Sequence, residues 1–491
     1  MKIRFQGGSL TGEAAAFDAR AGETLLEVFR RAGVSMDAPC GGQGRCGKCR
    51  VKILEGSTGG ESPGAGGMVR SCRAVPLGDL LIEIPPAASL RKSSGLSRSG
   101  NISRAGIALD IGTTTVFARI INMETGEVLD TLSALNEQRI YGADVMSRIG
   151  TAREGRTGEL YRRINGQCRS LIDILLEDRG PGNAAELVVA ANTTMLHLFT
   201  NTDPSAMGEV PFKPVFLEER KFSGTELDLP VETVRLLPSI SAFVGADIVS
   251  GIVFLQMCGK DESSLLIDMG TNGEIALFNK GRIYCCSTAA GPALEGAGIS
   301  CGMGSIDGAI NRITVKDGEM HIETINGAKA AGICGAGLID AVALMLEKGV
   351  IDETGAFVDE GQGVFPITGT IGINGADVRA FQLAKSAIIS GIKILCKSAG
   401  LSPADVNRIY VAGGLGFHID QESAFRTGLL PSEFRDRITV SGNTSLAGAE
   451  RCLVSPGFMD QCRNIVAMSE VIELAAIPEF MYEFSENILF E

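Results

Sequence analysis

The chain of 491 residues contains no tryptophan and only three histidines. It also contains no uninterrupted apolar run of about 18 residues, which is the length that a membrane-spanning helix needs. Its N-terminus, MKIRFQGGSL, lacks the apolar segment of a secretory signal peptide. The net charge of −13 disfavours nucleic acid and anionic membranes as main partners, because both carry negative charge. We therefore expect a soluble cytoplasmic protein that binds neither nucleic acid nor membrane.

The chain is rich in glycine and cysteine, with 63 and 13 residues respectively. Hydrophobic residues make up 45% of the chain and charged residues 21%, a composition typical of globular proteins. A chain of this length is expected to form about two to four domains. Because cytosolic thiols stay reduced, this many cysteines indicates free thiols or a metal site rather than a disulfide framework.

Four cysteines near the N-terminus have the spacing of a metal site. The segment CGGQGRCGKC at 40–49 holds three of them, and MVRSCRA further on supplies the fourth. The predicted ligands are Cys40, Cys46, Cys49 and Cys72. Iron–sulfur clusters are held by thiolates and by backbone N–H groups, and glycines let the backbone approach the sulfurs closely. The glycines available for this purpose are Gly41, Gly42, Gly44 and Gly47.

Residues 1–84 predict a small α+β domain around this loop. Two short strands (KIRFQ and EAAAF) and a helix (ETLLEVFRRAG) precede the loop, and two strands (KCRVKILEG and DLLIEIPP) follow it. A structural zinc site would also accept four thiolates, but zinc sites usually combine two CxxC hooks and only one is present. The spacing resembles that of adrenodoxin-like 2Fe–2S ferredoxins. This resemblance implies a β-grasp ferredoxin domain that holds a 2Fe–2S cluster.

Residues 85–104 predict a flexible basic linker. No acidic residue occurs from Pro85 to Leu109, and the segment is rich in Ser, Gly and Pro. Such a tether allows the first domain to move between an electron donor and an acceptor, or it serves as a passive spacer.

The remaining chain, 105–491, contains a duplicated pattern. ALDIGTTTVFARI and LIDMGTNGEIALF each place an Asp at the end of an apolar strand before a Gly–Thr turn, 158 residues apart. An Asp in this position suits Mg²⁺ or its waters, and the turn offers N–H groups and hydroxyls to phosphate. The predicted catalytic residues are Asp110 and Asp268. The predicted phosphate-binding residues are Gly112, Thr113, Thr114, Thr115, Gly270, Thr271, Asn272 and Gly273.

Further residues have two interpretations each. In RIYVAGGLGF, Gly413, Gly414 and Gly416 predict a close approach of a helix N-terminus to a nucleotide, although a tight turn has the same sequence. Glu274 is either a second carboxylate of the 263–288 hairpin or a charge at a strand edge. Asp144 and Asp247 either line a cleft or cap helices.

The segments LDIGTTT, LIDMGTNGE and VAGGLG resemble the phosphate and adenosine motifs of the ASKHA superfamily, which includes acetate and sugar kinases and actin. This resemblance implies two related ribonuclease-H-like α/β lobes that bind ATP and Mg²⁺ between them, with the second hairpin near 263–288.

The fusion of a ferredoxin with an ASKHA ATPase resembles the reductive activators of corrinoid-dependent enzymes. NEQRIYGADVMSRI, NTTMLHLF, GPALEGAGISCGMG and SGNTSLAGAE also match that family. The resemblance implies anaerobic, ATP-dependent transfer of one electron to the Co(II) corrinoid protein of a methyltransferase or acetyl-CoA pathway. It further implies a low-potential donor such as a ferredoxin or flavodoxin, and a homodimer is among the expected assemblies.

Two other functions remain open at this stage. One is a small-molecule ASKHA kinase or hydantoinase-like hydrolase with a redox-sensing ferredoxin domain. The other is an actin-like assembly module. Among the other side chains, His197 is expected to be a hydrogen-bonded core residue rather than a partner contact, and His418 follows the 413–416 turn. The nine cysteines outside the cluster are expected to be small buried side chains, with a role at the partner surface left open for Cys301 and Cys334.

Overall fold

The fold is described from a computed structural model of the chain. The structure describes residues 1–7, 16–34, 36, 38, 40–44, 47–84, 91–92, 104–177, 184–259, 262–359, 361–414 and 419–490. The chain divides into two compact units. The first unit comprises Met1–Phe216 and Lys221–Arg235, and the second comprises Leu217–Arg220 and Leu236–Glu491.

The N-terminal part of the first unit is a mixed sheet with one helix. Its strands are β1 (Lys2–Gly7), β2 (Ala16–Asp18), β3 (Arg50–Glu55), β4 (Thr58–Gly59), β5 (Met68–Arg70), β6 (Val75–Pro76) and β7 (Leu80–Ile84). The helix is α1 (Leu25–Ala32). The main sheet has the order β2-β1-β7-β3-β5, with β1 parallel to β7. The sequence predicted α1, β1, β2, β3 and β7, whereas β4, β5 and β6 were not expected.

Helix α1 begins where a capping box satisfies its first N–H groups. The Thr24 side chain accepts from the Glu27 backbone N–H, and the Glu27 carboxylate accepts from the Thr24 N–H. Its apolar face is buried, and the ring centroid of Phe29 lies 5.4 Å from that of Phe5 on β1. Gly33 ends the helix in the left-handed conformation. The helix thus ends close to the cysteine loop.

The rest of the first unit is built on a seven-stranded sheet. Its strands are β8 (Arg91–Lys92), β9 (Ala105–Ile111), β10 (Thr115–Asn122), β11 (Val128–Leu135), β12 (Ala184–Ala191), β13 (Arg220–Ser223) and β14 (Val231–Leu236). Its helices are α2 (Val145–Thr151), α3 (Thr157–Leu176) and α4 (Thr193–Phe199). The order is β13-β14-β12-β9-β10-β11-β8. Strand β9 is buried along its whole length, which explains why all its residues except Asp110 are apolar.

The predicted linker lies mostly outside the described residues. Arg91 and Lys92 are described, and they form β8, which pairs with Leu132 and Ser133 at the edge of the seven-stranded sheet. The flexibility expected for 85–104 therefore does not extend to these two residues, because their backbone is held in a sheet.

The second unit contains the remaining strands and helices. Its strands are β15 (Ser264–Met269), β16 (Gly273–Asn279), β17 (Arg282–Thr288), β18 (Ala309–Lys316), β19 (Glu319–Thr324), β20 (Gly332–Ile333), β21 (Val364–Thr368), β22 (Ile371–Asn374), β23 (Arg408–Ala412), β24 (Ile438–Gly442) and β25 (Ser469–Val471). Its helices are α5 (Ala246–Phe254), α6 (Gly335–Glu347), α7 (Gly375–Ser398), α8 (Gln421–Arg426), α9 (Thr444–Val454), α10 (Phe458–Met468) and α11 (Pro478–Glu486). The main sheet has the order β24-β23-β15-β16-β17-β25.

The two large sheets share one topology. In the first, β9, β10 and β11 are antiparallel neighbours, and β12 pairs with β9 in parallel. In the second, β15, β16 and β17 are antiparallel neighbours, and β23 pairs with β15 in parallel. A long helix, α3 or α7, precedes the parallel strand in each case. The repeat found in the sequence is therefore a repeat of the fold.

Within the described ranges, no helix is both long enough and apolar enough to cross a membrane.

Candidate functional site

Three of the four predicted cluster ligands lie in described loops of the N-terminal domain. Cys40 and Cys72 are 8% exposed and Cys49 is 1% exposed. The Ser71 N–H donates to the carbonyl oxygen of Cys49 at 2.7 Å, which joins the segment that carries Cys49 to the segment that carries Cys72. Cys46 lies outside the described residues. Among the described residues, no three Cys, His, Asp or Glu side chains form a group that holds a metal ion.

The backbone of the cysteine loop has the conformation that only glycine adopts easily. The four predicted glycines all have positive φ, at +61° for Gly41, +93° for Gly42, +77° for Gly44 and +66° for Gly47. A Cβ on Gly42 would lie 3.1 Å from Cδ2 of Leu26, 3.7 Å from Nη2 of Arg30 and 3.9 Å from Cβ of Cys72. The loop therefore packs directly onto α1 and the Cys72 segment.

Three arginines hold this loop by its carbonyl oxygens. Arg30 donates to Gly41 at 2.9 Å, Arg70 to Gly44 at 2.5 Å and Arg73 to Gln43 at 3.2 Å. Burial and the nearby Arg156 lower the pKa of Arg30 from its usual value. These arginines were not predicted from the sequence, because a contact between a guanidinium and a carbonyl depends on the fold and not on a motif.

One hydroxyl beside the loop fits an iron–sulfur cluster. The Ser71 side chain is fully buried, and its Oγ has no hydrogen-bond partner within the described part of the chain. Leaving a buried hydroxyl unpaired costs about 1–3 kcal/mol, so we expect an acceptor that these residues do not include. Cluster sulfurs accept such hydrogen bonds. The thiol donor set, the glycine backbone and this hydroxyl all fit an iron–sulfur cluster.

The first phosphate-type hairpin is in the first unit. Its turn is closed by the Gly112 N–H, which donates to the Thr115 carbonyl oxygen at 3.0 Å. A Cβ on Gly112 would lie 2.6 Å from that oxygen, so only glycine fits there. Asp110 lies one residue before the end of β9 and is 9% exposed.

Three polar side chains donate hydrogen bonds to this turn. Arg148, which is fully buried, donates to the Thr113 carbonyl oxygen, and Asn136 donates to that of Gly112 at 2.9 Å. Asn192 donates to the Thr113 hydroxyl at 3.0 Å. No role was predicted for these three residues from the sequence, although they lie in the segments NEQRIYGADVMSRI and NTTMLHLF.

The second hairpin, in the second unit, places two carboxylates opposite each other. Asp268 on β15 pairs with Glu274 on β16. Like charges in directly opposite positions are destabilising, so this pair is suited to a cation. Strand β16 lies between β15 and β17, and Glu274 is 9% exposed. The interpretation of Glu274 as a strand-edge charge is therefore wrong.

The two hairpins differ in register by one residue. In the first, Ile111 pairs with Val116, and Asp110 faces Phe117. In the second, Met269 pairs with Gly273, which leaves a shorter turn and brings Glu274 opposite Asp268. The constant sequence offset of 158 residues does not reveal this difference, since register depends on the length of the turn.

Glu274 holds its proton more strongly than an ordinary glutamate. Burial raises its pKa well above the usual value, and the negative charges of Asp247 and Asp268 raise it further, while a hydrogen bond from Asn272 opposes them. The protonated form of Glu274 is therefore more favoured in the folded chain than in the unfolded one.

Replacing Glu274 with glutamine should stabilise the nucleotide-free protein at high pH. Because the folded-state pKa is raised, the glutamate is most favourable below about pH 4.5 and loses stability as pH rises through the folded pKa. Glutamine has no such loss, so the Tm of Glu274→Gln should exceed that of the wild type by about 2–4 °C at pH 8. Thermal unfolding followed by circular dichroism from pH 5.5 to 8.5 measures this, with Glu319→Gln on exposed β19 as control. A Tm difference that does not grow with pH contradicts the prediction.

Two residues of the second turn, Thr271 and Gly273, are buried. The Thr271 hydroxyl donates to the Glu295 carboxylate, and a Cβ on Gly273 would lie 2.7 Å from the Thr288 hydroxyl oxygen. Gly270 and Asn272 are partly exposed. Glu295 was not predicted and lies in the segment GPALEGAGISCGMG.

The glycine-rich turn after β23 reaches Asp268. Gly413 has φ +90°, and a Cβ there would lie 2.6 Å from Oδ1 of Asp268 and 2.8 Å from the Met269 carbonyl oxygen. Gly414 has open space around it, whereas Gly416 and His418 lie outside the described residues. Two of the predicted ATP motifs thus meet within the second unit.

Gly413→Ala should displace Asp268 and lower ATP hydrolysis. The Met269 carbonyl is part of β15, so the added methyl group is expected to push the Asp268 side chain instead. A misplacement of about 1 Å can cost about 100-fold in rate. Steady-state ATP hydrolysis measures the effect, with Gly363→Ala as control because a Cβ there meets no atom within 4 Å. Unchanged hydrolysis in Gly413→Ala would show that this approach has no role in the reaction.

Comparison with known proteins agrees with this arrangement. Family models match at 9–77 (2Fe–2S iron-sulfur cluster binding domain), 105–260 (RACo middle region) and 262–491 (C-terminal domain of RACo, the ASKHA domain). The corrinoid activation enzyme RamQ of Eubacterium limosum is 34% identical over 418 residues, which is 78% of this chain and 70% of that protein. The chain belongs to the RACo family of corrinoid-protein reductive activators.

Two further RACo-type relatives support the assignment. A Co(II) methylated amine-specific corrinoid protein reductase of Methanosarcina barkeri is 30% identical over 73% of this chain and 72% of that protein. A solved reductive activator for corrinoid, iron-sulfur protein has a TM-score of 0.74 at 26% identity, with 100% of this chain and 98% of that chain covered. The predicted ferredoxin and ASKHA folds are therefore confirmed, and the chain carries an iron–sulfur cluster domain.

Three further residues with predicted roles are Asp144, Asp247 and His197. Asp144 caps α2 by accepting from the Ser147 N–H at 2.8 Å, whereas Asp247 lies near Glu274. His197 is fully buried, with Nδ1 2.8 Å from the Thr193 carbonyl oxygen and Nε2 accepting from the Val215 N–H. The expectation of a hydrogen-bonded core histidine is therefore confirmed.

Most cysteines outside the cluster loop are buried, as predicted. Those that are buried are Cys168, Cys285, Cys286, Cys334, Cys396 and Cys462. The prediction is wrong for Cys258, Cys301 and Cys452, which are half-buried. Cys301 donates from Sγ to the Gly372 carbonyl oxygen at 3.1 Å, and Cys334 precedes α6.

Proposed function

We propose that this chain reduces the Co(II) corrinoid of a partner protein to Co(I) in an ATP-dependent reaction. The observation that carries the proposal is the joining of an iron–sulfur domain, the RACo middle region and an ASKHA domain in one chain. Relatives that share at least 30% identity over most of their length are named as activators or reductases of corrinoid proteins. An iron–sulfur domain supplies the electron, and an ASKHA domain supplies the response to ATP.

The cluster is proposed to be 2Fe–2S, held by Cys40, Cys46, Cys49 and Cys72. When bound, it supplies one-electron transfer at low potential. The chain's own residues hold the loop in shape: Arg30 and Arg70 fix its carbonyls, and Ser71 offers a hydroxyl from a dry environment. Burial of Cys40, Cys49 and Cys72 also limits access of water to their sulfur atoms.

ATP and Mg²⁺ are proposed to bind at the two hairpins and the glycine-rich turn. In the first hairpin, Asp110 and the turn of Gly112, Thr113, Thr114 and Thr115 provide a carboxylate, N–H groups and hydroxyls. In the second, Asp268 and Glu274 provide paired carboxylates. N–H groups and a hydroxyl come from the turn of Gly270, Thr271, Asn272 and Gly273. The nucleotide is proposed to approach the backbone closely at Gly413, Gly414 and Gly416. Mg²⁺ suits this oxygen-only set of ligands.

ATP is needed because the reduction is energetically uphill from ordinary ferredoxin potentials. A gap of about 100–200 mV corresponds to roughly 2–5 kcal/mol for one electron. Nucleotide binding shifts an equilibrium by the difference in affinity between two states, and a few kcal/mol is within the usual range. We propose that the ATP-bound form binds the Co(II) state of the partner, and that hydrolysis releases it. The electron donor is proposed to be a low-potential ferredoxin or flavodoxin.

The deciding experiment follows cobalt and cluster together. Anaerobic protein is mixed with Co(II) corrinoid proteins, dithionite and ATP, and the Co(II) and cluster signals are recorded by electron paramagnetic resonance. Loss of the Co(II) signal only with ATP supports the proposal. A cluster signal without any ATP-dependent cobalt change across a broad panel of corrinoid proteins favours a redox-sensing ASKHA enzyme instead. Bound zinc in place of iron overturns the electron-transfer role.

A further inference from the structure

The charge of the N-terminal domain differs from that of the rest of the chain. Residues 1–84 contain eleven Lys or Arg against nine Asp or Glu, a net charge of +2, although the whole chain carries −13. The positive charge lies around the cysteine ligands. Residues 38–54 and 62–78 together contain six basic residues and no acidic one. An electron carrier that meets this domain therefore meets a basic surface on an acidic protein.

Four of these basic residues border Cys49 and Cys72, and we call them the basic rim: Lys48, Arg50, Arg70 and Arg73. Lys48, Arg50 and Arg73 are exposed, and Arg70 is half-buried. Arg70 forms an ion pair with Glu61 at 2.7 Å. The Arg50 side chain forms no ion pair or hydrogen bond with any residue that the structure describes. The described residues thus leave part of the positive charge of the rim, that of Arg50, without a partner.

The register of two strands makes this arrangement costly. Arg50 on β3 pairs directly with Arg70 on β5. Side chains in directly opposite positions share one face of the sheet, and like charges there are destabilising. Glu61 compensates the charge of Arg70, whereas the Arg50 side chain has no partner among the described residues. A local conflict of this kind is typical of functional surfaces.

The other side of the cysteine loop faces the middle region. Arg30 donates from Nη2 both to the Gly41 carbonyl oxygen and, at 2.8 Å, to that of Ile140. A Cβ on Gly41 would lie 2.8 Å from the Tyr141 carbonyl oxygen. The Gly41 side is therefore covered by residues 140–141 in this arrangement, whereas three of the four rim residues are exposed.

We propose that the basic rim is the docking surface for an acidic electron-donor protein. This inference rests on the proposed function and names the partner that loads the cluster. Donation moves one electron: the reduced donor is oxidised by one electron, the oxidised cluster gains it, and no bond or proton changes. Interfaces between electron-transfer proteins are small and weak, so complementary charge sets the rate of encounter. An acidic donor is attracted to the rim, while the negative charge of the rest of the chain keeps it from other surfaces.

The test measures electron transfer from an acidic plant-type ferredoxin to the full-length, cluster-loaded protein by stopped-flow spectroscopy. In the wild type, the second-order rate constant should fall as ionic strength rises from about 0.01 M to about 0.15 M, because the Debye length shortens from about 30 Å to about 8 Å. The double variant Lys48→Glu, Arg50→Glu should lose about tenfold or more in rate at low ionic strength, and its salt dependence should flatten or reverse. The matched charge reversal Lys2→Glu, on β1 and two strands away from β3, should change the rate less than about twofold.

Two controls separate the possible failures. Visible absorption and the midpoint potential of each variant show whether the cluster is intact and whether the driving force has changed, and Arg50→Gln serves if the double variant does not hold a cluster. Dithionite should still reduce the cluster of the variant, and ATP-dependent loss of Co(II) with dithionite should persist. Equal rates in variant and wild type with this ferredoxin overturn the proposal. It is also overturned if the variant loses only the reaction with the corrinoid protein, which would assign the rim to that partner. Failure of the wild type to reduce Co(II) with dithionite and ATP instead overturns the proposed function.

Discussion

Cys49→Ser is expected to abolish ATP-dependent Co(II) reduction while leaving ATP hydrolysis in place. Cys49 is 1% exposed, and its carbonyl oxygen accepts from Ser71, so the segment is held in position even without the thiol. Serine is a poor ligand for iron–sulfur clusters, which are held by thiolates. We expect the visible absorption and the reduced-cluster resonance to be lost and the rate of Co(II) reduction to fall by about 100-fold or more, in the range seen when a required group is removed.

The matched control for this variant is Cys258→Ser. Cys258 is half-buried in the second unit, and burial raises the pKa of its thiol to about 11, so it remains a neutral thiol at physiological pH. This variant should keep both the cluster signal and Co(II) reduction. Rapid Co(II) reduction by Cys49→Ser protein without cluster absorption would show that the electron does not pass through the N-terminal domain.

Asp268→Asn is expected to give the opposite separation, with an intact cluster and little ATP hydrolysis. Asp268 lies opposite Glu274 and beside Gly413, so it joins two of the three predicted nucleotide motifs. Asparagine keeps the shape of the side chain but removes the negative charge that would hold Mg²⁺ or its waters. Loss of one such electrostatic contact costs about 100- to 1,000-fold in catalytic rate constant.

Steady-state phosphate release and the cluster absorption measure this separation in one sample. Asp317→Asn is the control, because Asp317 is exposed in the β18–β19 turn and its φ of +53° suits asparagine. Co(II) reduction should fall with ATP hydrolysis in Asp268→Asn if hydrolysis resets the complex for each turnover. Wild-type hydrolysis in Asp268→Asn would remove Asp268 from the nucleotide site. Wild-type Co(II) reduction with lost hydrolysis would show that binding alone drives the electron transfer.

The two variants together test how the parts of the chain cooperate. Cys49→Ser removes the electron path and Asp268→Asn removes the use of ATP, so each should fail in Co(II) reduction for a different reason. A mixture of the two variant proteins should not restore activity if one chain supplies both parts. Restoration in the mixture would show that the cluster of one molecule serves the ATPase part of another, as in a homodimer.

The sequence by itself determined the features that depend on neighbouring residues. The spacing of the cysteines, the positive-φ glycines of their loop, the helix at 25–32 and the repeated Asp–Gly–Thr turns are local patterns, and the structure shows the described members in the expected elements. The duplication was also detectable, because two copies of one topology keep the same order of apolar strands and turns.

Only the tertiary structure decided how distant residues meet. A change of one residue in turn length places Glu274 opposite Asp268 but Phe117 opposite Asp110, and nothing in the sequence offset reveals it. The contacts of Arg30 with Gly41 and Ile140, and the pairing of Arg50 with Arg70, likewise join segments that are far apart in the chain. Strand register and long side-chain contacts depend on how whole elements pack, which a local pattern does not specify.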